Sequence, residues 1–133
     1  MKILLAAICV LFISACATKN DAIQADLSPE KLVQLAQEES DRNRYNESTR
    51  YYDAILERFP DDIAAVCGAQ YEIAFIHYKQ KRYTEAAEQF TALIDRYSAP
   101  DGDLLPQKYY ILSNIVLESI DKALFKNSKK AKT

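Results

Sequence analysis

The chain has 133 residues, a formal net charge of −2 and a charged fraction of 27%. This length suits one small domain, and the near-neutral charge argues against a nucleic-acid-binding surface, so no nucleic-acid partner is expected. Hydrophobic residues make up 49% of the sequence, whereas it holds only two glycines and four prolines. Such a composition favours a globular domain of long helices with few interruptions.

Residues 1–15 have the pattern of an export signal. Lys2 precedes an apolar run over residues 3–13, which is too short to span a bilayer because a spanning helix needs about 20 residues. The run leads into Ile-Ser-Ala-Cys at positions 13–16, which resembles the lipobox of bacterial lipoproteins. The alternative is an ordinary secretory signal that happens to contain Cys16.

The lipobox resemblance implies cleavage before Cys16 and attachment of diacylglycerol to its sulfur, with an acyl chain such as palmitate on its amino group. Several acyl chains anchor a protein stably, whereas one chain binds a membrane only marginally. Ala17, rather than Asp, follows the cysteine. By the sorting rule of enteric bacteria this implies the outer membrane, facing the periplasm; in lineages without that rule the inner membrane stays open.

The three cysteines allow no disulfide within the processed chain. Cys9 would leave with the signal and Cys16 would be alkylated, so Cys67 has no partner. We expect Cys67 to be a small buried hydrophobic residue, with an intermolecular disulfide as the alternative.

Five helices are predicted within a domain over residues 28–125, after a lipidated, flexible tether over residues 16–27. Ser28-Pro29-Glu30 combines an N-cap, a proline suited to the first helical position and an acid in the first turn, so the first helix starts there. It continues to about residue 43. The other predicted helices cover residues 45–59, 63–81, 83–97 and 105–125, with a turn at 99–103 and a basic, disordered tail at 126–133.

The second and fourth predicted helices have similar sequences. RYNESTRYYDAILERFP at 44–60 matches RYTEAAEQFTALIDRYS at 82–98, an offset of 38 residues. A helix pair repeated at a fixed offset is typical of a solenoid, because one pair cannot bury its apolar face alone. Ser48 and Ala86 are small at equivalent positions, where two helices must approach closely, and Tyr52 and Phe90 are the large residues that fill the space beside them.

These segments resemble the tetratricopeptide repeat (TPR), with units at about 29–62 and 67–100. The second unit fits better, since Glu39 and Ser48 depart from the pattern in the first. Repeats longer than the usual 34 residues are similar to those of bacterial outer-membrane TPR lipoproteins, the BamD-like envelope family. The resemblance implies an all-α, short TPR-type α-solenoid with two helix-turn-helix repeats and a C-terminal capping helix at 105–125.

No residue pattern indicates catalysis, and we expect neither an enzyme nor a cofactor or metal. Two glycines cannot build a phosphate-binding loop. His77, the sole histidine, is expected to pack in the core, and Asp101-Gly102-Asp103 lacks the further acids of a calcium loop.

In the TPR family the first helix of each pair lines a concave groove, which implies a binding site for an envelope protein or peptide. Tyr71, Phe75 and Tyr78 recur at i, i+4 and i+7 and would anchor such a segment. The alternative is that they pack on the fifth helix as core. The groove candidates are Gln37, Tyr71, Phe75, Tyr78, Lys79 and Tyr109.

The sequence therefore indicates a lipid-anchored, periplasmic protein-interaction module. The resemblance implies an adaptor in outer-membrane protein assembly or envelope maintenance. Three alternatives stay open at this point: a regulator or scaffold of cell-wall enzymes, a pilotin-like or transporter-associated adaptor, and a structural lipoprotein that forms homo-oligomers through its repeats.

Overall fold

The computed structural model describes residues 22–130, and these residues are helical with connecting turns and contain no strand. Its five α-helices are α1 (Pro29–Asp41), α2 (Tyr45–Arg58), α3 (Ile63–Lys79), α4 (Tyr83–Asp95) and α5 (Gln107–Lys130). Two short 3₁₀ turns, Arg96–Ser98 and Gly102–Leu104, join α4 to α5. The prediction of an all-α helical repeat is confirmed. The export signal and the lipidation site Cys16 lie outside the described residues.

The loops that close α1 and α3 have the same backbone geometry. Asn43 and Lys81 have positive φ angles of 57° and 61°, and the left-handed conformation ends a helix. The following amides, of Arg44 and Arg82, donate 2.9 Å hydrogen bonds back to the last turn of each helix. Both helices therefore end before residues 43 and 81, slightly earlier than predicted. The two repeats share the conformation of the turn between their helices as well as the helices themselves.

The N-termini of α1 and α3 are capped by side chains. The Ser28 hydroxyl accepts a hydrogen bond from the backbone amide of Lys31 at 3.4 Å, and Pro29 occupies the first turn as predicted. The Asp62 carboxylate accepts from the amide of Ala65 at 2.9 Å. Such caps satisfy amides that have no partner within the helix.

Helix α3 is shared by two hydrophobic clusters, which explains why it is apolar around most of its circumference. One side of α3 completes the core of the first helix pair, and the other side completes the core of the second. The first cluster consists of Leu32, Ala36, Tyr52, Ala54, Ile55, Ala69, Ile73 and Ile76. The second consists of Cys67, Tyr71, Ala74, Ala86, Phe90, Leu93, Leu105, Val116 and Ile120. The predicted burial of Cys67, Ser48, Ala86, Tyr52 and Phe90 is confirmed.

Helix α5 covers the second cluster with Val116 and Ile120. It begins at Gln107 and continues to Lys130, past the predicted end at residue 125. The sequence pattern ended with the last apolar residue, whereas lysine is itself a good helix former and needs no buried face to extend a helix by a turn.

Part of the predicted tether is docked on the domain. Ile23 and Leu27 are half-buried against the first cluster. The Arg58 guanidinium donates hydrogen bonds to the carbonyl oxygens of Gln24 at 2.7 Å and Ile23 at 3.0 Å. Residues 22–27 are therefore held against α2, in contrast to the flexible segment expected from their polar composition.

Candidate functional site

Five aromatic rings form a continuous line across α4, α3 and α5. The successive centroid distances are 5.8 Å from Tyr83 to Tyr78, 5.7 Å to Phe75, 5.9 Å to Tyr71 and 5.6 Å to Tyr109. These separations lie within the favourable range for aromatic pairs of about 4.5–7 Å. We call this set of rings the aromatic row.

The residues of the aromatic row differ in exposure. Tyr71 is 8% exposed and also lies 5.5 Å from the ring of Phe90, so it belongs to the core. Phe75, Tyr78 and Tyr109 are half-buried. The sequence left open whether Tyr71, Phe75 and Tyr78 form a surface or pack on the fifth helix as core. The structure places Tyr71 in the core, while Phe75 and Tyr78 pack against the second cluster and keep part of their surface exposed to solvent.

Lys79 connects the aromatic row to the first repeat. Its ammonium lies 5.6 Å from the ring centroid of Phe75 and 5.2 Å from that of Tyr45, within the range of a cation–π interaction. The same ammonium donates a hydrogen bond to the hydroxyl of Ser40 on α1. Lys79 is nevertheless exposed, so its charge is accessible at the edge of the row.

Glu72 is an acidic residue beside the row that sequence reasoning missed. It is half-buried. Burial raises the pKa of its carboxyl, and the positive charge of Lys79 opposes this in part. Its spacing of three residues from Phe75 and seven from Lys79 places it on their side of α3, and that spacing was the available signal. The surface therefore has one acidic side chain, Glu72, and one basic side chain, Lys79, beside its rings.

Gly68 allows α5 to approach α3. A Cβ atom at this position would lie 2.6 Å from the hydroxyl oxygen of Tyr109, and the missing side chain gives that ring its place beside Tyr71. Gln37, the remaining groove candidate, is exposed on α1. The contacts from the row to the first repeat pass through Tyr45 and Ser40 rather than through Gln37.

The polar residues between α3 and α4 form a separate feature. His77 is half-buried rather than fully in the core, and its Nδ1 lies 2.7 Å from the amide oxygen of Gln89. An open groove of about 410 Å³ lies nearby, lined in part by Asp53, Gln70 and Arg96. Across residues 22–130, no group of three or more His, Cys, Asp or Glu side chains is arranged to hold a metal ion.

Cys67 is a fully buried member of the second cluster. Burial raises the pKa of its thiol, while the guanidinium of Arg96, 3.6 Å from the sulfur, opposes that shift. A buried thiol of this kind acts as a packing residue.

None of the helices in the described part of the chain has both the length and the apolarity needed to cross a membrane.

The fold and this surface define a short, all-α helical-repeat protein with an aromatic face. The chain is 32% identical to an uncharacterized protein of Treponema pallidum (strain Nichols) over 113 residues, which are 84% of this chain and 45% of that protein. It is 35% identical to the outer membrane protein assembly factor BamD of Neisseria meningitidis serogroup B over 101 residues, 72% of this chain and 36% of that protein.

The chain thus spans less than half the length of either of these curated relatives. No family model matches it. No solved structure matches it either. The similarity to BamD is distant, and it agrees with the helical-repeat fold described above.

Proposed function

We propose that the protein is a lipid-anchored interaction module that acts in outer-membrane protein assembly, on the periplasmic side of that membrane. The observation that carries this proposal is the aromatic row, with Lys79 and Glu72 beside it.

The row suits an extended or helical peptide. Its rings run across three helices, from Tyr83 on α4 to Tyr109 on α5, so a bound segment would contact several elements at once. Aromatic side chains are effective anchors because they present a large contact area and lose little rotamer entropy on binding. The rings already pack on one another, so the surface is formed before binding and the ordering cost is low.

The two charges beside the row favour particular partners. Lys79 is exposed and its ammonium is held by two rings and Ser40, which orients it for a carboxylate on the bound segment. Glu72 is partly shielded, and as a carboxylate it would accept a hydrogen bond from a polar group near the rings. We therefore propose a segment with apolar residues and at least one acid.

Two sequence relationships support the envelope setting. The chain is similar to an outer membrane protein assembly factor over 72% of its length. Residues 13–16 also resemble a lipobox. On this proposal, Cys16 carries the lipid, and the docked residues 22–27 hold the repeat domain near the membrane surface.

In-cell photo-crosslinking tests this proposal. A photoreactive residue at position 75 or 78 should form crosslinks to an outer-membrane assembly component, identified by mass spectrometry of the membrane fraction. The same residue in place of Glu88, which is exposed on α4, serves as the matched control and should not. Equal crosslinking from all three positions, or crosslinks from 75 and 78 only to α5 of the same chain, would contradict the proposal.

A further inference from the structure

Helix α5 repeats the register of α3 at an offset of 40 residues. The residues that α3 directs toward the first cluster correspond to residues that α5 directs toward the second cluster or buries beside it. The equivalent pairs are Ala69 with Tyr109, Ile73 with Ser113, and Ile76 with Val116. Helix α5 therefore lies against the second helix pair as α3 lies against the first.

The register also identifies an apolar stripe that no other element within residues 22–130 covers. On α3, Tyr71 and Phe75 lie on the side next to α4, where the Tyr71 ring packs on Phe90. Their equivalents on α5 are Ile111 and Ile115, which are 56% and 57% exposed. Terminal repeats of solenoids normally present a polar outer face. Helix α5 covers the second cluster on its inner side. Its outer side carries exposed apolar residues at the positions where α3 carries residues that contact the next helix.

We propose that Ile111 and Ile115 pair with the same stripe of a second copy of this chain, in an antiparallel contact between two α5 helices. A two-fold axis level with Ser113 would place Ile111 opposite Ile115 of the second copy, and Ile115 opposite its Ile111. Leu112, 38% exposed, flanks this contact.

The charges at the ends of the stripe select this arrangement. Lys108 precedes Ile111 by three residues and Glu118 follows Ile115 by three, so both lie on the stripe's side of the helix. In the antiparallel register Lys108 faces Glu118 of the second copy, and the reverse contact forms by symmetry. A parallel pairing would place lysine against lysine. A stripe with an apolar centre and opposite charges at its two ends is complementary to itself.

The apolar residues and the charges have separate roles in this contact. Glu118 pairs weakly with Lys122 at 3.5 Å within its own chain, and both side chains are largely exposed, so Glu118 is accessible to the second copy. Exposed ion pairs contribute little affinity, and the isoleucines must supply most of it. Since Tyr109 and the stripe lie on opposite sides of α5, the proposal does not depend on the aromatic row.

Analytical ultracentrifugation of the full mature chain tests the contact. The sedimentation coefficient of the wild type should rise with protein concentration, and Ile115→Glu should raise the dimer dissociation constant at least tenfold. Leu104→Ser is the control, because Leu104 is 68% exposed but lies in the turn that precedes α5, and it should leave association unchanged. A wild type that stays monomeric at every concentration, or an Ile115→Glu variant that associates as the wild type does, would overturn the proposal.

A charge exchange tests the register. Lys108→Glu and Glu118→Lys should each weaken association several-fold at low salt, because each places like charges opposite each other. The double variant should restore it. If the double variant associates no better than the single variants, the antiparallel register is wrong.

Discussion

The hydroxyl oxygen of Tyr109 on α5 occupies the space in which a side chain on Gly68 of α3 would begin, 2.6 Å from the position of a Cβ atom. The same tyrosine ring packs 5.6 Å from Tyr71. Glycine at position 68 therefore makes α3 less stable than alanine would, but it allows Tyr109 of α5 to pack beside Tyr71 as the last ring of the aromatic row. The aromatic row is continuous only while this ring keeps its place, so the packing of α5 on α3 maintains the proposed binding surface.

Substitutions at this contact should be coupled. Gly68→Ala gains about 1 kcal/mol of helix propensity, but in the wild type the new methyl group displaces the Tyr109 ring. Tyr109→Phe removes the atom that it meets first. We expect Gly68→Ala to raise the free energy of unfolding by about 0.5–1 kcal/mol more in the Tyr109→Phe background than in the wild type. Urea denaturation of the wild type, the two single variants and the double variant measures this coupling, and strictly additive effects would show that the contact is absent.

Ser48→Ala should stabilise the protein. The Ser48 hydroxyl is buried and has no hydrogen-bond partner in the described structure, and alanine is the residue at the equivalent position 86. Removing an unsatisfied hydroxyl and improving helix propensity should together raise the free energy of unfolding by about 1 kcal/mol. The reverse change, Ala86→Ser, should lower it by a similar amount. A loss of stability in Ser48→Ala would indicate that the hydroxyl has a partner.

Glu72→Gln should remove part of the pH dependence of stability. Burial raises the pKa of the Glu72 carboxyl in the folded protein above its ordinary value of 4.5, although Lys79 opposes the shift. As pH rises from that ordinary value through the folded one, the unfolded chain loses the proton first, so this group makes stability fall. Below that window the carboxyl is protonated in both states and contributes no difference.

Thermal unfolding from about pH 4 to about pH 8 measures this effect. The melting temperature of Glu72→Gln should rise relative to that of the wild type as the pH increases. Glu88→Gln, at an exposed position on α4, is the matched control and should follow the wild type. A constant difference between wild type and Glu72→Gln across the range would show that the carboxyl is as well hydrated in the folded protein as in the unfolded chain.

Cys16→Ala should abolish lipid attachment. Cells supplied with radiolabelled palmitate should label the wild-type protein and Cys67→Ala but not Cys16→Ala, because only Cys16 follows a lipobox-like sequence. Label on Cys16→Ala would mean that the chain is modified elsewhere, and a wild type without label would mean that residues 1–15 are an ordinary secretory signal.

Much of the fold could be predicted because two segments of the sequence, residues 44–60 and 82–98, have the same pattern. The equivalence of Ser48 with Ala86 and of Tyr52 with Phe90 sufficed to predict which residues are buried between paired helices. Helix ends were less accurate. Lys81 adopts the left-handed conformation without being glycine, so the residue type gave no signal that α3 ends before it.

The features that the sequence did not reveal depend on contacts between distant residues. Residues 22–27 dock through backbone carbonyl groups that accept hydrogen bonds from Arg58, and no side-chain pattern encodes such a bond. Periodicity placed Tyr71 and Phe75 on one face but could not separate the core ring from the half-exposed one. That distinction depends on where α5 packs.

The amount of folded outer-membrane proteins in living cells tests most directly whether the aromatic row acts, as proposed, in outer-membrane protein assembly. In cells depleted of the native protein, a variant carrying Phe75→Ser and Lys79→Glu, produced at the wild-type level, should leave these proteins depleted. A Glu88→Ser control should restore them. Full restoration by the row variant, at equal abundance and with unchanged helical content, would contradict the claim.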